Sequence, residues 1–121
     1  MHILIFASIS KRGNHQYAIS LLKKAIELSP DFAEAYSKLG SEYGREDGDP
    51  RRLEIANEYH QYALKMQPRN ADFLNNYGAF LHQSGRPEEA VEMYRRALRF
   101  NGRHEKAREN LSQLINKQST N

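Results

Sequence analysis

Residues 71–104 read ADFLNNYGAFLHQSGRPEEAVEMYRRALRFNGRH, and they contain two helical patterns separated by a turn signal. The apolar residues of the first pattern share one helix face at i, i+3, i+4 and i+7, namely Leu74, Tyr77, Gly78 and Leu81. The turn signal follows in residues 84–87, where Gly85 can adopt a positive φ and Pro87 suits the first position of a helix. The stretch therefore predicts a helix, a tight turn and a second helix.

The second pattern places a small residue, an aromatic residue and another small residue on one face: Ala90, Tyr94 and Ala97. Small residues allow two helix backbones to approach closely, while the ring fills the remaining space. The same spacing recurs earlier in the chain, first as Ala18, Leu22 and Ala25, and then as Ala56, His60 and Ala63. The first pattern also recurs, as Tyr36, Leu39, Gly40 and Tyr43. The chain is therefore built from repeated helix pairs.

The repeat period is about 34 residues, and one unit is longer by about one helical turn. The extra residues lie between Gly44 and Pro50, where Asp49 is the expected N-cap and Pro50 the first residue of the next helix. The loop also contains Glu46 and Asp47, but its spacing does not match a calcium-binding loop. We interpret it as a solvated turn.

These positions resemble the tetratricopeptide repeat family, whose pattern is W-x-x-L-G-x-x-Y, then A-x-x-x-F, A and P over 34 residues. The resemblance implies an all-α, right-handed solenoid of antiparallel helix pairs forming a single domain over residues 1–121. Its expected parts are a partial repeat (1–32), a repeat with a four-residue insertion (33–70), a full repeat (71–104) and a capping helix (105–117). The capping helix is expected to bury one apolar stripe, formed by Ala107, Leu111, Leu114 and Ile115.

The first unit has room for only a short first helix before Gly13, and two helical frames of residues 1–12 are open. The apolar residues 3–9 suggest either packing against upstream repeats of a longer array or self-association. Polar residues 117–121 are expected to fray.

Composition excludes several classes of site. The 121 residues carry a net charge of +3 and no cysteine, so disulfides and thiolate metal sites are absent. The longest apolar run is far shorter than the roughly 20 residues of a membrane span. No catalytic or nucleotide-binding motif is present. We predict a soluble chain that is not an enzyme and has no cofactor or metal; the cytoplasm is favoured, although the compartment is not determined.

The resemblance places ligand-facing residues on the first helix of each pair. In the second unit these are Glu34, Ser37, Lys38, Ser41 and Arg45, and in the third they are Asp72, Asn75, Asn76, Ala79, His82 and Gln83. Asparagine side chains can bond the backbone of an extended peptide. We therefore predict a scaffold that binds a peptide or partner protein through this face.

Chaperone-binding members of the family hold a C-terminal carboxylate with basic residues and asparagines. The matching positions here carry Ile3, Ala7, Lys38, Asp72 and Asn76. Because Asp72 would repel a carboxylate, we predict that this type of clamp is absent.

Two alternatives to a free-standing scaffold are open. The chain can be a C-terminal accessory module, or a shortened form, of a larger enzyme or of an assembly or secretion complex. It can also be an RNA-associated helical repeat that uses the basic residues of 95–108, although no aromatic stripe accompanies them and nucleic acid is an unlikely partner.

His60 occupies a position that normally carries an aromatic ring packed between helices. We expect a buried ring with one hydrogen-bonded nitrogen, and the alternative is a proton-sensitive joint that loosens near pH 6.

Overall fold

The computed structural model describes residues 11–45 and 49–119, and every regular element within them is an α-helix. The six helices are α1 (Lys11–Leu28), α2 (Ala33–Gly44), α3 (Pro50–Met66), α4 (Ala71–Gln83), α5 (Pro87–Phe100) and α6 (Glu105–Ser119). The predictions for residues 3–9 and for Glu46 and Asp47 lie outside the described residues. Within those residues, we find no helix with both the length and the apolar character needed to cross a membrane.

The helix ends follow the local sequence signals. The Asp49 side chain accepts a hydrogen bond from the Arg51 N–H (3.0 Å), and Pro50 opens α3 as predicted. Gly85 has φ +81° between α4 and α5, which confirms the predicted turn. Two predictions at the carboxyl end are wrong: α6 continues to Ser119, and Ile115 is exposed while Ala107 and Leu114 are buried.

The helices pack in sequence order as antiparallel pairs. α2 packs on α3, and α4 packs on α5. The first helices α2, α4 and α6 also contact one another in succession. This arrangement is the predicted all-α solenoid, and its core contains small residues from the second helices facing leucines from the first helices, including Leu39, Leu74, Ala56 and Ala90.

The glycines of the first helices permit the close approach within each pair. A Cβ atom added to Gly78 would lie 2.6 Å from Cε1 of Tyr94, and one added to Gly40 would lie 2.6 Å from Cδ2 of His60. Such distances leave no room for a side chain while the rings keep their positions. The predicted pairing of each glycine with a ring on the second helix is confirmed.

His60 is buried more completely than its polarity would suggest. Its side chain is 1% exposed and packs against the rings of Tyr77 and Phe80, at centroid distances of 5.5 and 5.2 Å. Neither ring nitrogen makes a hydrogen bond of ordinary geometry with a described residue, so the expectation of one bonded nitrogen is wrong. Burial lowers the pKa of His60 to about 4, and the nearby backbone of Gly40 opposes this shift only weakly.

Candidate functional site

The exposed side of the three first helices forms a groove. Two adjoining cavities of about 500 and 280 Å³ lie along it, and Asn75, Asn76 and Lys106 line both of them. α2 and α4 supply most of the floor, while α6 closes one side with Lys106, and with Asn110 in the smaller cavity. We call this surface the first-helix groove.

Hydrogen bonds between side chains hold the floor of this groove together. The Asn76 amide donates to Oγ of Ser37 (3.2 Å), joining α4 to α2, and the Asn110 amide donates to Oδ1 of Asn75 (3.0 Å), joining α6 to α4. Ser37 is 0% and Asn75 6% exposed. A buried polar group needs a partner, so these two residues stabilise the stack of first helices as well as lining the groove.

His104 links the start of α6 to α4. Its Nδ1 accepts a hydrogen bond from the Ala107 N–H (3.1 Å), so Nε2 carries the proton in the neutral ring and donates to Oδ1 of Asp72 (2.7 Å). His104 thereby caps α6 and fixes the Asp72 carboxylate at the rim of the larger cavity.

The groove carries charges of both signs. Glu34 and Lys38 form an exposed pair on α2 with a 3.4 Å contact. Arg45, Lys106 and Glu109 make no ion pair among the described residues. These three side chains are therefore available to an incoming chain, in contrast to Ser37 and Asn75.

Most of the residues predicted to face a ligand lie on this groove. Glu34, Ser37, Lys38 and Asp72 line the larger cavity, and the smaller one is lined by Ser41, Arg45, Ala79 and Gln83; Asn75 and Asn76 line both. His82 lines neither cavity. Their role in binding stays a prediction.

The sequence reasoning missed the wall that α6 provides. Lys106, Glu109 and Asn110 occupy the second, fifth and sixth positions of a unit that begins at Glu105, one 34-residue period after Ala71. The same positional rule, extended to the capping helix, would have found them. Gln67 and Asn70, which precede α4, also line the groove and carry no repeat signal.

The basic residues near the carboxyl end do not form one stripe. Arg96 contacts the Met93 sulfur, and Arg108 donates to the Gly102 carbonyl. Lys106 faces the first-helix groove, while Arg95 and Arg99 are exposed on α5. No cluster of three potential metal ligands occurs in the part of the chain that the structure describes.

Comparison with known proteins agrees with this geometry. The family model for tetratricopeptide repeat matches residues 44–103, and the model for TPR repeat matches residues 11–45. The fold is similar to a solved structure described as the first TPR of Spaghetti (RPAP3) bound to HSP90 peptide SRMEEVD. Its TM-score is 0.74 at 19% identity, and the match covers 90% of this chain and 83% of that one.

Two relatives are similar in sequence over part of their length. The type IV pilus assembly protein PilF of Pseudomonas aeruginosa is 39% identical over 82 residues, which cover 68% of this chain and 31% of PilF. The human protein O-mannosyl-transferase TMTC1 is 38% identical over 111 residues, which cover 92% of this chain and 13% of the transferase. The chain thus spans less than a third of either relative. The matched models, the helix pairs and their glycine contacts show that the chain belongs to the tetratricopeptide repeat family.

Proposed function

We propose that the chain is a non-enzymatic scaffold that binds an extended peptide segment of a partner protein in the first-helix groove. The observation that carries this proposal is the continuity of the two cavities along α2, α4 and α6, lined by polar groups that remain available. Ser41 and Gln83 can bond a peptide backbone, while Arg45 and Lys106 can pair with its acidic side chains. The peptide complex of the structural relative is consistent with this use of the fold.

Lys106 offers the sharpest test, because it lines both cavities and has no ion pair. Peptides selected from a random display library would be measured by fluorescence anisotropy against the chain and against Lys106→Ala. We expect the substitution to weaken binding about tenfold, which corresponds to one lost charged contact. Lys65→Ala is the matched control, since Lys65 is an exposed lysine at the end of α3 outside the groove. Peptides that bind both variants equally well would contradict the proposal.

A second candidate is an accessory module of a larger protein. It is favoured by the partial coverage of PilF and TMTC1, since the matched segment is one portion of each relative. In this case the apolar residues 3–9 would pack on further repeats. A consensus repeat added before Met1 should then raise the melting temperature by several degrees, and an unchanged melting temperature would count against this candidate.

A further inference from the structure

A second groove lies outside the first-helix groove and is lined mainly by tyrosine. Its cavity of about 420 Å³ lies between α1 and α3 over α2, and the residues around it are Lys23, Tyr36, Tyr43, Ile55, Glu58, Tyr59 and Tyr62. Tyr62 is 50% exposed. We call this surface the tyrosine groove; the family pattern assigns it no role in the prediction above.

The tyrosine rings form a continuous row. Tyr59 is stacked on Tyr43 at a centroid distance of 5.6 Å, and Tyr36 is tilted against Tyr59 at 6.2 Å and against Tyr62 at 4.6 Å. This row is about as long as four residues of a polyproline II helix, which rises roughly 3.1 Å per residue. Ring faces at this spacing suit the flat proline rings of such a helix.

The polar groups of the groove are suited to carbonyl acceptors. No described residue accepts a hydrogen bond from the hydroxyl of Tyr59 or Tyr62, so both hydroxyls can donate to a ligand. A proline-rich segment offers carbonyl oxygens and lacks the N–H groups that a strand would need to pair. Within the chain, the Tyr36 hydroxyl already donates to the Pro30 carbonyl at 3.0 Å, which is the same type of contact.

The Tyr43 end of the groove is positively charged. The Lys23 ammonium lies 5.5 Å and the Arg52 guanidinium 4.9 Å from the centroid of the Tyr43 ring. Glu58 is the acidic side chain that lines the groove, so the two cations leave a net charge of +1 there (2 minus 1). An acidic residue next to the prolines would complement this end.

We propose that the tyrosine groove binds a proline-rich segment in the polyproline II conformation, with an acidic residue placed beside Lys23. The four tyrosines hold the proline rings, and the free hydroxyls donate to the peptide carbonyls. This proposal is independent of the first-helix groove.

The test uses a synthetic peptide of about six prolines flanked by aspartates, titrated into the ¹⁵N-labelled chain. We expect saturable shifts confined to α1, α2 and α3, and about tenfold weaker binding to Tyr62→Ala. Tyr62→Phe should retain part of the affinity, because it keeps the ring and removes only the hydroxyl. Phe32→Ala is the control: its ring is similarly exposed but lines the first-helix groove, so this variant should bind normally.

Two further peptides separate the contributions. Replacing alternate prolines by glycine should abolish binding, and replacing the aspartates by alanine should weaken it several-fold in the chain but not in Lys23→Ala. The proposal is overturned if the glycine peptide binds equally well, if no saturable binding occurs, or if the shifts map to α4 and α6. It is also overturned if the chain sediments as a dimer that Tyr62→Ala dissociates, because the occupant would then be a second copy.

Discussion

At the scale of single residues, each helix pair depends on a contact between a glycine and a ring. Gly40 meets His60, and Gly78 meets Tyr94. The two rings occupy equivalent repeat positions and are both 1% exposed. Burial raises the pKa of Tyr94 to about 12 and lowers that of His60, because in each case it disfavours the charged form. Only the histidine can become charged under mildly acidic conditions.

The first prediction concerns the pH dependence that His60 introduces. Its pKa is about 4 in the folded chain and 6.5 when unfolded, so the unfolded chain binds more protons between these values. The stability is fully present above pH 6.5 and is lost as pH falls towards 4. The loss should reach about 2 kcal/mol at pH 5 in urea denaturation followed by circular dichroism.

His60→Phe should remove this part of the pH dependence, because phenylalanine does not titrate. It also replaces two unbonded nitrogens with apolar atoms, so its stability at pH 7.5 should equal or exceed that of the parent. His15 and His104 remain in the variant with their carboxylate partners Glu42 and Asp72. An identical loss between pH 7.5 and 5 in both proteins would assign the effect to those pairs.

The second prediction tests the close approach of α4 and α5. Gly78→Ala places a methyl group against the buried ring of Tyr94, which cannot move without disturbing the pair. We expect a net loss of about 1–3 kcal/mol in the free energy of unfolding, despite alanine's better helix propensity. Gly102→Ala is the matched control, because the nearest atom to its added Cβ is 3.7 Å away. Equal denaturation midpoints for the two variants would contradict the proposed contact.

At the scale of the helices, the termini show how much of the fold is local. Asp49 and Asn70 each accept a hydrogen bond from the first turn of the helix that follows, as their residue types favour. His104 performs the same task for α6, although histidine is not a usual capping residue. The first two caps depend on nearby residues alone, whereas His104 is also held by Asp72 on another helix.

The third prediction measures one of these caps. Asp49→Ala removes the acceptor for the Arg51 N–H at the start of α3 and should lower the free energy of unfolding by about 1 kcal/mol. Asp49→Asn keeps a carbonyl acceptor at the same place and should lose much less. Chemical denaturation of the three proteins at one pH gives the comparison. A full loss in the asparagine variant would show that charge, rather than the hydrogen bond, accounts for the effect.

Spacing was sufficient to predict the helix pairs, because a small residue or a glycine at a fixed offset has one packing use in this repeat. It was not sufficient for the groove. Ser37 and Asn75 have the periodicity of ligand-facing residues, yet their burial depends on partners 39 and 35 residues away, Asn76 and Asn110 respectively. The tyrosine groove was missed because Tyr59 and Tyr62 lie outside the defining repeat positions. Such contacts become visible only once helices from different units are placed side by side.

At the scale of the whole molecule, helices contact only near neighbours in the described part of the chain. α6 packs on α5 and α4, and α1 packs on α2, while no contact joins α6 to α2 or α3. In an array of this kind, stability is close to a sum of local terms, and a disturbance weakens with distance along the stack. The first-helix groove depends on this order, since its third wall is the terminal helix α6.

The fourth prediction follows from this linear arrangement. Leu114 is 3% exposed and anchors α6, so Leu114→Ala should destabilise the chain by about 2–5 kcal/mol if the array unfolds as one unit. If the units are only partly coupled, the loss appears mainly as opening of α6. Amide hydrogen exchange separates the two outcomes, because it reports the opening free energy of each helix. We expect faster exchange in α6, a smaller effect in α4 and α5, and unchanged exchange in α2 and α3.

The same variant connects stability with binding. Opening of α6 removes Lys106 and Asn110 from the first-helix groove and leaves the tyrosine groove intact, since the latter is formed by α1, α2 and α3. Leu114→Ala should therefore weaken peptides selected for the first-helix groove and leave the proline-rich peptide unaffected. A uniform increase of exchange in all six helices, with both ligands weakened equally, would show that the array opens as a single cooperative unit.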